Sequence, residues 1–201
     1  MSKIASNMKI RLFTLLALLS TGHLHAAEKV EIFNDKDLTG WKIQDAAYWS
    51  VKDGVLTGQS DEKKQNSILW TEEQFKDFTL EFDFRFSGDI DSGVFLRHVD
   101  DQIQIGISRS LQRDLTGSPY IGSKGKYTAE AEGVSELLKD GEWNRMKITV
   151  KGKGYTVEIN GKQVLDYQSD TLIGEGPVGF QVHSGVVMKI EFKDISLEKL
   201  D

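Results

Sequence analysis

Residues 78–86, FTLEFDFRF, alternate without a break. Phe78, Leu80, Phe82, Phe84 and Phe86 fall on one side, and Thr79, Glu81, Asp83 and Arg85 on the other. Successive strand side chains point to opposite faces, whereas a helix repeats every 3.6 residues. Five large apolar groups in steps of two therefore bury together only as one face of a β-strand. Such a strand needs a second apolar layer to cover it.

The same period returns along the chain. Gly93–His98 and 102–108 read as strands. Met146, Ile148 and Val150 form another apolar face, as do Tyr155, Val157 and Ile159. Asn160-Gly161 is a two-residue hairpin turn leading to Gln163–Tyr167. Val178, Phe180 and Val182, then Met188, Ile190 and Phe192, complete the pattern. A phase slip from Phe192 to Ile195 and Leu197 predicts a bulge. An early hairpin joins Trp49–Val51 to Gly54–Leu56 through Lys52-Asp53. Helical signals are confined to one capped turn at Thr71–Phe75 and one at Ser135–Leu138. The predicted fold class is all-β, an antiparallel β-sandwich of jelly-roll type, forming one domain over residues 27–201.

Residues 1–26 are set apart from this domain. Lys3, Lys9 and Arg11 precede the apolar run Leu12–Leu19, and small residues follow. This predicts a secretory signal peptide cut after Ala26, hence an exported chain, periplasmic or secreted. The apolar run is far short of the ~20 residues of a membrane helix. The sequence has no cysteine, which excludes disulfides, thiolate catalysis and cysteine-zinc sites. Its net charge is −6, and the leader takes three positive charges with it. Nucleic acid and anionic membranes are poor partners for so acidic a domain.

The polar faces of the strands supply the candidate site. Glu81, Asp83 and Arg85 stand on one strand, Phe95 and Arg97 on the next, Gln102 and Gln104 on a third, Gln181 and His183 on a late one. Carboxylates, guanidinium groups and amides are the donors and acceptors that bind sugar hydroxyls. Ile103, Ile105 and Ile107 are expected in the core, opposite Gln102, Gln104 and Gly106. The loop Ser108–Thr116 is expected over the rim, with Arg109 or Arg113 reaching inward. Gly93, Gly106 and Gly179 would clear space for a ligand, and Tyr120 or Phe95 would offer a stacking surface.

Each residue also has a plainer reading. Glu81-x-Asp83 matches the start of the E-x-D-x-x-E strand of laminarinase-like retaining glycosidases. Position 86 is Phe, so the second carboxylate is missing, and Asp83 beside Arg85 reads equally as a neutralised polar face. After residue 26 the histidines are His98 and His183. His183 ends a strand, and a neutral imidazole suits a general base near pH 7. A strand-end histidine bonded to backbone is the alternative. His98 reads as a structural or edge residue. Asp89, Asp91, Asp100 and Asp101 read as solvated turns, with a divalent cation such as calcium as the alternative.

Eight segments in order resemble the 3-keto-disaccharide hydrolase domain family. They are FNDKDLTGW (33–41), WSVKDGVL (49–56), FTLEFDFRF (78–86), DSGVFLR (91–97), TGSPY (116–120), GEWN (141–144), EINGKQV (158–164) and GPVGFQVHSG with MKIEFKDISLEKL (176–200). The resemblance implies a concanavalin-like jelly roll. It also implies cleavage of glycosidic bonds in sugars oxidised to a ketone at C3. Such chemistry needs one base and one electrophile. His183 or Glu81 could serve as base, with Asp83 beside the latter. Arg97, Arg109 or a metal could stabilise the enolate. Two positions depart from the family: Gln102 stands where many members carry Glu, and Lys193 where they carry Arg. These departures keep open a lectin-like module that binds carbohydrate on the same face without cleaving it.

Overall fold

The computed structural model describes residues 28–200. The signal-peptide segment 1–26 lies outside the described residues. Among the described residues sixteen strands follow in order. They are β1 (Glu28–Val30), β2 (Trp41–Asp45), β3 (Trp49–Lys52), β4 (Val55–Gln59), β5 (Ser67–Thr71), β6 (Asp77–Phe86), β7 (Asp91–Leu96) and β8 (His98–Ser108). There follow β9 (Arg113–Asp114), β10 (Pro119–Ile121), β11 (Lys126–Tyr127), β12 (Asn144–Lys151), β13 (Gly154–Ile159), β14 (Lys162–Gln168), β15 (Val178–Val182) and β16 (Lys189–Leu200). Single 3₁₀ turns occupy Gly122–Lys124 and Val134–Glu136. Among the described residues no helix is long and apolar enough to cross a membrane.

The strands form two antiparallel eight-stranded sheets. The first runs β14-β13-β12-β6-β16-β4-β3, with β1 added to β16; the second runs β11-β10-β8-β7-β15-β5-β2, with β9 added to β8. This is the expected sandwich, and the apolar phase of each strand faces the gap between the layers. Phe78, Leu80, Phe82 and Phe84 of β6 are fully buried, as are Ile103 and Ile105 of β8. Phe82 and Phe192 from the first sheet meet Phe180 from the second, with centroids 5.3 and 4.4 Å from it. Burying each such ring stabilises the fold by about 1.5–3 kcal/mol.

Local signals resolve as their chemistry requires. Asn160 (φ 50) and Gly161 (φ 82) turn β13 into β14, in the left-handed pair that two-residue hairpins favour. Asp53-Gly54, one residue later than expected, does the same between β3 and β4. The slip after Phe192 is a bulge between Lys193 and Ser196, with Asp194 at φ 50. The expected helical turn at Thr71–Phe75 does not form. Thr71 ends β5 and Phe75 bridges to Gly176, so sheet pairing prevails over the local capping signal. The turn near Ser135–Leu138 forms one residue earlier and as 3₁₀.

Candidate functional site

The outer face of the second sheet is laid out in rows. Trp70, Gly179, Phe95, Gln102, Tyr120 and Tyr127 pair across β5, β15, β7, β8, β10 and β11. One pleat further along, Gln181, Gly93 and Gln104 form the next row. One pleat beyond that, His183 donates its backbone N–H to the Asp91 carbonyl. Over these rows lies a cleft of about 350 Å³, lined by Asp91, Phe95, Gln102, Gln104, Arg109 and His183 among others.

The floor is a hydrogen-bonded relay. Tyr127 donates its phenol to Gln104 Oε1 at 2.9 Å. Gln104 Nε2 donates to Asp91 Oδ1 at 2.9 Å. The other Asp91 oxygen accepts the Arg109 backbone N–H at 3.2 Å and lies 3.6 Å from Arg109 Nε. A parallel bond joins Gln102 Nε2 to Gln181 Oε1 at 2.6 Å. Asp91, Gln102, Gln104 and Gln181 are all nearly buried, and buried polar groups persist only when paired in this way. Burial pushes the Tyr127 phenol up to about 12, so it keeps its proton at neutral pH.

His183 stands at one end of this relay, and its side chain is 37% exposed. Its Nδ1 lies 2.7 Å from the Ser184 carbonyl oxygen. A carbonyl can only accept, so in the neutral imidazole Nδ1 carries the proton and Nε2 holds the lone pair. Asp91 Oδ2 is 3.9 Å from Nδ1. A proton taken at Nε2 would thus create a cation beside a nearly buried carboxylate.

Several expectations are corrected. Glu81, Asp83 and Arg85 are not on this face. They belong to β6 of the first sheet, whose polar side faces solvent on the far side of the sandwich. Arg145 binds Glu81 at 2.6 Å and Asp83 at 3.1 Å, and Arg85 binds Glu191 at 2.7 Å. Arg97 is also elsewhere. A bulge after Phe95 puts it at φ 62, and its guanidinium turns inward. There it meets Asp77 and the carbonyls of Gly152 and Ile173. Arg113 does not line the cleft and pairs with Glu130 at 2.5 Å. Arg109 does line the cleft, clamped by Asp89, whose carboxyl it holds below the usual range.

The glycines clear space for neighbouring side chains rather than for a ligand. A Cβ on Gly93 would fall 2.1 Å from Gln102 Nε2, one on Gly179 2.6 Å from the Trp70 ring, and one on Gly106 2.6 Å from the Ile90 carbonyl. Ile107 is only half-buried, because Gly106 turns through φ 87 and shifts the strand.

The sequence pattern alone does not single out Asp91 and Tyr127 as cleft residues. Asp91 shares the phase of Gly93 and Phe95, and that is the signal by which it could be found. Tyr127 sits in a two-residue strand that carries no period. Among the described residues no group of three or more His, Asp or Glu is placed to hold a metal. The aspartates considered for calcium are engaged by donors. Asp101 accepts the Tyr155 and Thr171 hydroxyls, and Asp100 the Ser123 N–H. These residues do not fit a cation site.

The sequence profile of a family described as a 3-keto-alpha-glucoside-1,2-lyase-like domain matches residues 28–198. No curated protein matches the chain. Among solved structures, a provisionally named glycosyl hydrolase from Parabacteroides distasonis is 24% identical, with a TM-score of 0.68 over 86% of this chain and all of that one. The carbohydrate-binding module CBM66 from Bacillus subtilis is 16% identical, with a TM-score of 0.60 over 83% of this chain and 98% of that one. The Bacillus licheniformis β-glucanase is 12% identical, with a TM-score of 0.59 over 89% of this chain and 100% of that one. These likenesses establish the shared sandwich fold.

Proposed function

The chain belongs to the 3-keto-disaccharide hydrolase family, and on that premise we propose that it is an exported enzyme cleaving 3-keto-glycosides by base-promoted β-elimination. The observation that carries the proposal is His183. Its tautomer leaves Nε2 basic, it lines a cleft of amides and phenols, and Asp91 lies beside its other nitrogen. Export rests on the leader-like residues 1–26.

A ketone at C3 makes the hydrogen on C2 acidic. His183 Nε2 takes that proton, and the C2–H electrons form the enolate. Cleft hydrogen-bond donors would stabilise the enolate oxygen. Arg109 carries a fixed positive charge beside the cleft, while the Tyr127 proton stays on its bond to Gln104 and holds the floor in place. The enolate then re-forms the ketone as the C1–oxygen bond breaks. The leaving oxygen recovers a proton from the imidazolium, and an enone remains. Water adding to C1, with a proton returned to C2, gives net hydrolysis. This route needs no second carboxylate, which accords with Glu81 and Asp83 lying on the other sheet.

A second reading is a carbohydrate-binding module using the same cleft without turnover. It is favoured by the neutral Gln102–Gln181 pair, since Gln102 stands where related chains often carry Glu. One experiment separates the two. The chain is incubated with a 3-keto-disaccharide in D₂O, with and without EDTA. The enzyme reading expects released monosaccharide and deuterium at C2, with EDTA making no difference. Tight binding with neither product nor exchange would establish the module instead.

A further inference from the structure

We propose that the sheet face beyond the cleft carries a second saccharide subsite, built on Trp70, Gln44 and Phe95, that receives the ring on the far side of the glycosidic bond. This rests on the sugar-cleft reading above and extends it to the size of the ligand.

Trp70 lies in the same cross-sheet row as the aromatic cleft residues, over Gly179. The absence of a side chain at Gly179 is what lets the indole settle there, since a Cβ would come within 2.6 Å of the ring. The ring stacks on Phe95, with centroids 5.4 Å apart and planes 30° from parallel. Its N–H donates to Gln44 Oε1 at 2.9 Å, which fixes the ring's orientation. Trp70 is only half-buried, and Gln44 is exposed.

The physical character of this patch is specific. Ile68 and Phe95 are buried yet stand outside the inter-sheet core, on the outer face. Gln44 bonds the indole, Lys42 stands opposite Trp70 on β2, and one pleat along Gln181 donates to Asn66 at 3.4 Å. Gln44 uses its oxygen on the indole, leaving its –NH₂ free to donate. An aromatic plane flanked by an amide and a lysine, with further amides one pleat away, suits a ligand with apolar C–H faces and a hydroxylated edge, which is a pyranose ring. A protein partner would call for a wider apolar surface.

Continuity with the cleft fixes the occupant. Phe95 and Gln181 line the cleft and also touch this patch. Phe95 stands on β7 and Trp70 on β5, two strand spacings apart. Their side chains lean together until the ring centroids are 5.4 Å apart, so a sugar on the indole would lie directly beside one held over Phe95 in the cleft.

The test compares two ligands by calorimetric titration, on a His183→Ala background that holds turnover off. One is methyl 3-keto-glucoside, which reaches the cleft alone; the other is a 3-keto-disaccharide. The expected preference for the disaccharide is about tenfold. Trp70→Ala should reduce that preference to near unity, and Trp70→Phe, which keeps a ring on Gly179, should restore most of it. Equal affinity for the two ligands, or a Trp70→Ala loss shared equally by both, would overturn the subsite and leave the cleft standing. Failure of both ligands to bind would overturn the cleft reading and the subsite with it.

Discussion

Replacing Asp91 should have two very different outcomes, depending on what replaces it. Its oxygens take the Gln104 amide and the Arg109 N–H in a nearly buried setting. In Asp91→Asn the –NH₂ can accept from neither donor, but the relay can reverse. The new amide donates to Gln104 Oε1, Gln104 flips and donates to Tyr127, and the phenol oxygen accepts. The one side-chain oxygen that remains at position 91 still meets the Arg109 N–H. The Tyr127 hydrogen, released from Gln104, turns to water in the cleft that Tyr127 lines, so the buried groups stay paired and the main loss is charge assistance, about 1 kcal/mol. Asp91→Ala leaves both donors without a partner, at roughly 1–3 kcal/mol each. Water entering from the cleft can satisfy one of them, so the alanine variant should lose about 2 kcal/mol more than the asparagine variant. At ~2–4 °C per kcal/mol for a domain of this size, the two melting temperatures should differ by about 4–8 °C. Thermal unfolding followed by circular dichroism measures this directly. Equal melting temperatures would show that the relay does not satisfy the buried groups as described.

The remaining predictions concern the base, the phenol and the sheet. His183→Ala should lower kcat on a 3-keto-disaccharide by about 10²–10⁴. Glu81→Gln, on the opposite sheet, should stay within about twofold of the parent rate. Steady-state assays of both variants decide which residue is the base. The folded state holds the Tyr127 proton up to about 12, against an ordinary 10.0. The unfolded chain therefore loses that proton first, and stability should fall as pH rises from about 10 to about 12. Tyr127→Phe should remove that part of the decline in urea titrations across this range. Gly93→Ala should displace the Gln102 amide and break its bond to Gln181. The expected cost is about 1–3 kcal/mol, read as a lower denaturation midpoint with an unchanged slope.

The alternation in β6, β12 and β15, and in β8 as far as Ile105, is enough to name the inward residues and the sandwich, because a strand's face is set by local period; beyond Gly106 it misplaces Ile107. Sheet membership is not local. Glu81 and Gln102 both lie on polar strand faces, yet they look out from opposite sides of the sandwich. Only the pairing of β6 with β12 and β16 separates them. Arg97 illustrates a second limit. Counting by twos from Phe95 puts it on the outer face, and one left-handed residue at a bulge sends it inward. Gln102, Gln104, Gln181 and His183 could be grouped because nothing interrupts the period between each of them and its strand's core residues.

The bond between Gln102 and Gln181 spans 79 positions in sequence, while that between Gln104 and Asp91 spans 13. The β7–β8 hairpin can therefore assemble half of the cleft early, before β15 has arrived. Contacts between distant segments form slowly, because loop closure must precede the interactions that reward it. On the function proposed above, sugar binding would serve as a kinetic reporter on this molecule. In a refolding experiment it should lag the secondary-structure signal and mark the moment at which β15 docks between β7 and β5.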